Sequence, residues 1–248
     1  MKKLMIATAA LCAAVSVNAL ESANVVGYQD IEAPAGSSMR APTFQAVGGS
    51  GYDLTKITVA GAEGSGDVCA QTISAAGEWD GEYYYMTVDG AGVPADGWYK
   101  DAGGSEAVEE DEVILPAGGA LFVDSAYNDL TLKVAGEVPS GDLDLDVPAG
   151  SSQIGNALPA DVDLTEITVT GAEGSGDVCA QSISAAGEWD GEYYYMTVDG
   201  AGVPADGWYK DAGGSEAVEA DEVVLAPGEA LFIDSAYNDL VFTLPAVL

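Results

Sequence analysis

Short segments in which apolar and polar residues alternate run through most of the chain. In one of them Leu130, Leu132 and Val134 alternate with Thr131 and Lys133. Successive side chains of a strand point to opposite faces, so this pattern predicts strands with one buried face and one face in water. Clusters of Gly, Asp, Ser and Pro separate the segments, and helical periodicity is missing. The pattern predicts an all-β fold, built as an antiparallel β-sandwich or a small barrel. In the first half of the chain, strands are predicted at 24–33, 54–62, 67–73, 82–88, 97–100, 107–115, 120–125 and 130–136.

The second half of the chain repeats the first half. Residues 73–109 and 183–219 are identical over 37 positions, and residues 61–71 recur at 171–181. A repeat of this length predicts two tandem, near-identical domains rather than the short units of a solenoid. The predicted domains are 20–138 and 139–248. The identity of their loops has two explanations: recent duplication, or a requirement that both copies present the same surface.

The first 19 residues have the pattern of a secretory signal peptide. Two lysines precede an apolar run, and small residues lead to a predicted cleavage site after Ala19. The run is shorter than the roughly 20 apolar residues that span a bilayer, and no later segment is long enough. We therefore expect a secreted protein, extracellular or on the cell surface, with no membrane span.

The charge of the chain limits its partners. It carries 41 acidic and 7 basic residues, with a formal net charge of −34 at pH 7. Phosphate binding needs clustered Lys and Arg, so nucleic acid and anionic membranes are not expected as partners. The charge favours cations, or a saline medium that screens self-repulsion. Hydrophobic residues make up 48% of the chain, which is enough for a folded core.

Two cysteines remain after the leader, one in each repeat. Cys69 and Cys179 are the disulfide candidates, because an exported protein can keep a disulfide. The bond would join the two repeats of one chain or two successive subunits. In the remaining alternative both thiols stay free and buried.

Aromatic residues recur at the same places in both repeats. Aromatic rings beside carboxylates can stack on the apolar face of a sugar, while the carboxylates accept its hydroxyl hydrogen bonds. The alternative is that these rings fill a small core. The candidate ligand platform comprises Trp79, Tyr84, Trp98, Trp189, Tyr194 and Trp208.

Acidic, glycine-containing loops offer weak candidates for calcium ligands. Calcium binds six to eight oxygens from carboxylates and carbonyls, which these loops contain. Their spacing matches neither the EF-hand loop nor the nonapeptide calcium repeat, so the alternative is that they are turn residues. The candidates are Asp89, Asp96, Asp101, Asp199, Asp206 and Asp211.

The composition argues against an enzyme. The chain contains no histidine, which excludes Ser-His-Asp and Cys-His triads and histidine-ligated zinc. Pairs of carboxylates can hydrolyse glycosides, but some pairs are expected by chance among so many acidic residues. No glycine-rich phosphate loop with its lysine is present.

The first strand after the leader is apolar and β-branched. It can complete its own sheet, or it can add to the open edge of the next subunit. Repeated strand addition would give a head-to-tail filament. The residues of this candidate assembly strand are Asn24, Val25, Val26, Tyr28 and Ile31.

Four short motifs carry a resemblance. They are SANVVGY at 22–28, PAGSS in both repeats, DGWYKDAGGS, and APGEALFI at 226–233. The chain resembles a group of exported repeat proteins of unassigned activity from Planctomycetes–Verrucomicrobia-type bacteria. The resemblance implies an exported all-β repeat protein and supplies no catalytic residues. The first repeat departs from the pattern, reading PAGGALFV where the second reads APGEALFI.

These observations favour an extracellular structural or assembly subunit that polymerises by strand addition between repeats, as in a surface fibre, filament or matrix. Its main partner would be itself. The alternative is a secreted carbohydrate-binding module protein, stabilised by calcium, with a polysaccharide as partner.

Overall fold

The computed structural model describes residues 26–45, 51–62, 68–73, 79–125, 128–139, 141–172, 178–183, 186–235 and 238–246. The predicted leader, Asn24 and Val25 lie outside these residues. The fold is all-β, with 51% strand and 7% helix in small antiparallel sheets, which confirms the predicted class. Within the described residues, no helix has the length and apolar character needed to cross a membrane.

Within the described residues, each repeat contains ten strands, one short α-helix and one turn of 3-10 helix, at Leu54–Lys56 in repeat 1 and Leu164–Glu166 in repeat 2. In repeat 1 the strands are β1 Val26–Ala33, β2 Gly36–Arg40, β3 Tyr52–Asp53, β4 Thr58–Ala60, β5 Val68–Ile73, β6 Trp79–Met86, β7 Gly97–Tyr99, β8 Ile114–Leu115, β9 Leu121–Ser125 and β10 Leu130–Glu137. In repeat 2 they are β11 Leu143–Val147, β12 Gly150–Gly155, β13 Val162–Asp163, β14 Thr168–Thr170, β15 Val178–Ile183, β16 Trp189–Met196, β17 Gly207–Tyr209, β18 Val224–Leu225, β19 Ala230–Ser235 and β20 Leu240–Leu244. The helices are α1 Val88–Ala91 and α2 Val198–Ala201.

The strands of each repeat form three antiparallel sheets. The largest has five strands, in the order β2-β9-β5-β6-β7, and its copy has the order β12-β19-β15-β16-β17. A three-stranded sheet has the order β1-β10-β4, or β11-β20-β14 in the copy. The pairs β3-β8 and β13-β18 complete the set. The predicted strand 107–115 is shortened to its last two residues, because Asp111 has a positive φ of 64° and ends the extended run.

Each repeat has its own apolar core, formed by the inner faces of its three-stranded and five-stranded sheets. On β10, Leu130, Leu132 and Val134 are buried while Lys133 is exposed, which confirms the predicted alternation. On β20, Phe242 is buried at the equivalent place of Leu132. Burial of such side chains stabilises the fold by about 1.5–3 kcal/mol each.

The first strand completes its own sheet. All eight residues of β1 pair with β10, from Val26 opposite Glu137 to Ala33 opposite Leu130. Ile31 is buried in the core of repeat 1, whereas Tyr28 is 83% exposed. Within this chain, β1 is therefore the first strand of its own repeat. The hypothesis that this strand also adds to the sheet edge of another subunit stays a prediction.

The two repeats meet through equivalent backbone segments. The N–H of Ala41 donates to the carbonyl of Gly228 at 2.8 Å, and the N–H of Gly155 donates to the carbonyl of Gly118 at 2.8 Å. Position 155 is the copy of position 41, and position 228 is the copy of position 118. The junction therefore has pseudo-twofold symmetry, in which each repeat uses the same surface to contact the other.

Several sequence differences between the repeats fall on this junction. Met39, Arg40, Ala41 and Gly119 of repeat 1 correspond to Gln153, Ile154, Gly155 and Glu229 of repeat 2. Arg40 forms a backbone bridge with Glu229, and the equivalent bridge joins Gly119 with Ile154. Burial lowers the pKa of Arg40, while the charge of Glu229 partly offsets this. The repeats are thus specialised where they face each other.

Candidate functional site

The solvent side of each five-stranded sheet carries the same set of side chains. Strand register places Cys179 opposite both Asp234 and Tyr194, and Gln181 opposite both Phe232 and Glu192. We call this surface the outer patch. In repeat 2 it comprises Cys179, Gln181, Trp189, Glu192, Tyr194, Phe232 and Asp234, and in repeat 1 Gln71, Trp79, Glu82, Tyr84, Phe122 and Asp124.

An exposed tryptophan lies at one end of each outer patch. The ring of Trp79 contacts the ring of Phe122 with centroids 4.9 Å apart, and Trp189 contacts Phe232 at the same distance. The two tryptophans remain 46% and 48% exposed. A large aromatic ring held on a second ring and left half open to solvent can accept a flat apolar surface of a ligand.

A carboxylate is held in the middle of each outer patch. In repeat 2, Gln181 Nε2 donates to Glu192 Oε1 at 2.9 Å, and the Tyr194 hydroxyl donates to Glu192 Oε2 at 3.0 Å. The hydrogen bond to Glu192, together with burial, raises the pKa of Tyr194 to about 12. In repeat 1, Glu82 accepts the same two hydrogen bonds at 3.2 and 3.1 Å. These hydrogen bonds hold the carboxylate oxygens in place, while the side chains of Glu82 and Glu192 remain exposed to solvent.

A bulge brings the tryptophan onto this face. The register between β5 and β6 shifts beyond Gln71, and Gly81 has a φ of +89°. Without the extra residue, Trp79 would share the inner face with Tyr83 and Tyr85. With it, Trp79 lies beside Phe122, on the same face as Tyr84. The glycine inside an aromatic strand was the sequence signal for this bulge.

Trp98 and Trp208 do not belong to a ligand platform, and that part of the prediction is wrong. Both are 3% exposed. The indole N–H of Trp98 donates to the carbonyl of Ile57 at 2.8 Å, and that of Trp208 donates to the carbonyl of Ile167 at 2.9 Å. The ring of Trp98 packs edge-on against Tyr85. Trp98 and Trp208 are therefore core residues, as in the alternative that these aromatic rings fill a small core.

Cys179 is a free, half-buried thiol in the outer patch. Burial and the charges of Glu192 and Asp234 raise its pKa to about 11. Cys69 lies opposite Tyr84 on β5, and its side chain is outside the described set. A disulfide that joins Cys69 to Cys179 within the chain is not formed, which corrects that alternative. A bond between subunits stays a prediction.

The aspartates proposed for calcium organise turns instead. Asp101 accepts backbone hydrogen bonds from Gly103, Ser105 and Glu106, and Asp211 accepts the same three in repeat 2. The hydrogen bond from Ser105 is the largest of the effects that lower the pKa of Asp101. No group of three or more potential ligand residues is present among the described residues.

Asp96 and its copy Asp206 also serve the backbone, because they accept the N–H of Val88 and Val198 at the start of each short helix. Asp89 and Asp199 lie in the first turn of those helices, and neither belongs to a group of three potential metal ligands among the described residues. The calcium prediction is therefore not supported for the described loops, and the turn alternative accounts for their acidic residues.

Comparison with protein-family models, with curated proteins and with solved structures finds no match to this chain.

Proposed function

We propose that the chain is an exported, non-catalytic, bivalent carbohydrate-binding protein, which uses its two outer patches to bind a repetitive polysaccharide. Export follows from the leader-like first 19 residues. The two patches act as two identical binding sites on one chain. Two tandem domains, each with its own sheet and core, would hold these sites at a fixed separation.

One observation carries this proposal: the distribution of identity between the repeats. Where the repeats contact each other, some equivalent positions differ, as at Ala41 and Gly155, while others such as Gly118 and Gly228 are the same. Where they form the outer patch, all of its equivalent residues are identical, as at Trp79 and Trp189. Recent duplication is the alternative explanation, because the 37 identical positions at 73–109 and 183–219 include core and turn residues as well as residues of the patch. Retention of one exposed surface in two copies is expected when both copies bind the same unit.

The chemistry of the patch suits an uncharged sugar. The Trp189 ring offers an apolar platform, and Glu192 offers an oriented acceptor for hydroxyl groups. The large negative charge of the chain disfavours anionic polysaccharides. A patch of this kind on an open sheet face binds one sugar weakly, so two copies are needed for useful affinity. A second site held nearby acts at an effective concentration in the millimolar range for a short connection, and overall affinity can rise about 10²–10⁴-fold.

The test uses Trp79→Ala, Trp189→Ala and the double variant on immobilised neutral polysaccharides. Each single variant should lose most of the avidity, about tenfold or more, while the double variant should lose the remainder. The matched control is Val88→Ala, since Val88 is equally exposed but lies outside the patch. Binding that survives in the double variant would refute the proposal.

Assembly into a filament or matrix is the second candidate. It is favoured by the position of β1, which is the edge strand of its three-stranded sheet, as β11 is in the other repeat. The repeat junction cannot extend such an assembly, because its two equivalent surfaces already contact each other. Growth would therefore occur by pairing of sheet edges between chains.

Electron microscopy and sedimentation of the exported protein test the second candidate. The native chain should form filaments and the Tyr28→Lys variant should not, because an exposed lysine on an edge strand opposes edge pairing. The Thr58→Lys variant changes the opposite edge strand, β4. Comparison of the two variants shows which edge of the sheet pairs between chains. Protein that stays monomeric at high concentration would exclude assembly.

A further inference from the structure

The tryptophans of the two outer patches are connected to each other through packed side chains at the junction between the repeats. Trp79 packs on Phe122 and Trp189 packs on Phe232, each with ring centroids 4.9 Å apart. Both phenylalanines also pack against one buried cluster that draws residues from both repeats. The members of this junction cluster are Met39, Ala41, Ala120 and Ala230.

The junction cluster belongs to the same sheet faces as the outer patches. Met39 lies opposite Phe122 in the register of β2 with β9, so the two side chains share a face. Ala230 is two residues before Phe232 on β19 and shares the face of that ring. The solvent-side faces of the two five-stranded sheets therefore meet at the junction, where Met39 and Ala230 are buried.

The hairpin that carries each tryptophan reaches towards the other repeat. β15 lies beside β2, and β5 lies beside β12. Ile183, which is opposite Trp189 in the strand register, packs against the junction cluster. In the connection that leads to Trp189, a Cβ at Gly187 would lie 3.2 Å from the hydroxyl of Ser37 in repeat 1. Trp189 therefore stands at the junction end of its own patch, next to the sheet of the other repeat.

The pseudo-twofold symmetry of the junction relates the two halves of this aromatic surface. The angles between the Trp and Phe ring planes are 49° in repeat 1 and 47° in repeat 2. Trp79 and Trp189 are 46% and 48% exposed. A polymer that crosses the axis meets the second half in the reverse direction, because a twofold rotation reverses the path of the chain. Recognition by both halves must then depend on contacts that tolerate either direction, such as stacking on a ring.

We infer that the two outer patches are the halves of one binding site, and that its ligand is a single neutral β-1,4-linked glucan chain that stacks on Trp79 and Trp189 together. The inference rests on the proposed function and refines it, because it specifies the linkage of the ligand and the number of ligands per protein chain. In such a glucan the hydroxyl groups and linkages are equatorial, so the chain is extended and both faces of each ring expose C–H groups. It can therefore stack on both tryptophans although the two halves meet it in opposite directions. Glu82 and Glu192 accept hydrogen bonds from its hydroxyl groups on either side of the junction.

Calorimetry of the full chain with cello-oligosaccharides of increasing length tests the inference. One oligosaccharide should bind per protein chain. Its affinity should rise about tenfold or more at the length that first contacts both tryptophans, because the second contact is then intramolecular. Malto-oligosaccharides of equal length should bind about tenfold more weakly, because their axial linkages curve the chain away from the second ring.

Tryptophan variants distinguish one site from two. In Trp189→Ala, the stoichiometry should stay at one, and the dissociation constant of a long cello-oligosaccharide should rise about tenfold or more. Two independent sites would instead give half the native stoichiometry with an unchanged dissociation constant. Trp189→Phe keeps an aromatic face and should bind with intermediate affinity, which separates loss of the contact from loss of the fold. Tyr28→Ala is the matched control, since it removes an exposed aromatic ring outside both patches, and it should bind like the native chain.

Three outcomes would overturn the inference: two oligosaccharides bound per chain, an affinity that does not depend on length, or equal binding of the cello- and malto-oligosaccharides. Each of them leaves the proposed function intact, provided that the Trp79→Ala and Trp189→Ala double variant loses binding to immobilised neutral polysaccharide. Absence of binding to every neutral polysaccharide would overturn the proposed function, and this inference with it.

Discussion

A single methyl group at the repeat junction should have a large effect on stability. A Cβ at position 155 would lie 2.3 Å from the Cβ of Ala41, and 3.1 Å from both the Cβ of Ala230 and the carbonyl oxygen of Glu229. Real Cβ atoms do not approach so closely, and the nearest neighbour is itself a rigid methyl group. Gly155 does not have a left-handed φ, so the cost of Gly155→Ala comes from crowding rather than from backbone strain.

The expected magnitude follows from overpacking. Forcing an extra methyl into a packed site costs about 1–3 kcal/mol. For a chain of this size, that corresponds to a fall in Tm of about 2–12 °C. The free energy of unfolding is measured by urea titration at pH 7, with calorimetry as a check on Tm.

A compensating change makes the prediction specific to the contact. Ala41→Gly alone should cost about 1–2 kcal/mol, from lost apolar burial and added chain freedom. In the double variant Ala41→Gly/Gly155→Ala, the junction again holds one methyl group, which is now supplied by position 155. Most of the lost free energy of unfolding should therefore be regained. The coupling free energy of this double-mutant cycle should be about 1–3 kcal/mol in favour of the pair.

Gly141→Ala is the matched control. A Cβ at position 141 meets nothing within 4 Å, and its φ is not left-handed, so stability should change by less than about 0.5 kcal/mol. Additive effects of Ala41→Gly and Gly155→Ala would refute the reasoning, because they would mean that the two positions do not touch.

Three further predictions concern single residues. Trp98→Ala should lower the free energy of unfolding by about 3–5 kcal/mol in urea titration, since it removes a buried ring and leaves a carbonyl unpaired, and sugar binding by the folded fraction should stay unchanged. Alkylation of Cys179 by iodoacetamide in the folded protein should be slow at pH 7 and should accelerate only as pH rises towards about 11, whereas unfolding in urea should remove this protection. Because hydrogen bonds lower the pKa of Asp211 in the folded state, its contribution to stability is present above the unfolded pKa of about 3.9 and lost as pH falls through the folded value. Asp211→Asn should therefore reduce the loss of stability between pH 7 and pH 3, and an unchanged acid dependence would contradict the assignment.

The sequence predicted the strands in which apolar and polar residues alternate regularly. Alternation along β10 identified Leu130 and Leu132 as core residues, because strand geometry fixes which side chains share a face. The same rule fails at Trp79, since the bulge at Gly81 reverses the faces upstream of it. Trp98 could not be assigned from sequence, because its indole N–H pairs with the distant carbonyl of Ile57.

The junction between the repeats was beyond prediction for a different reason. It joins Ala41 with the segment around Gly228, which are far apart in sequence, and no short pattern marks such a pairing. Its clearest sign in the sequence was the loss of identity at positions 39–41 and 153–155, next to the conserved PAGSS motifs. That divergence has meaning only once the two segments are known to face each other.

The two sides of the junction differ in sequence, and this difference limits how many repeats a longer chain of this kind can have. Among the described residues, Glu229 is the carboxylate whose charge acts on Arg40, and Ala41 has room because position 155 lacks a side chain. A third copy appended to the gene would find no open counterpart, and loss of either copy would uncover a face shaped for one partner. We expect lengthening by the addition of complete pairs, so that the number of repeats in a longer chain is even.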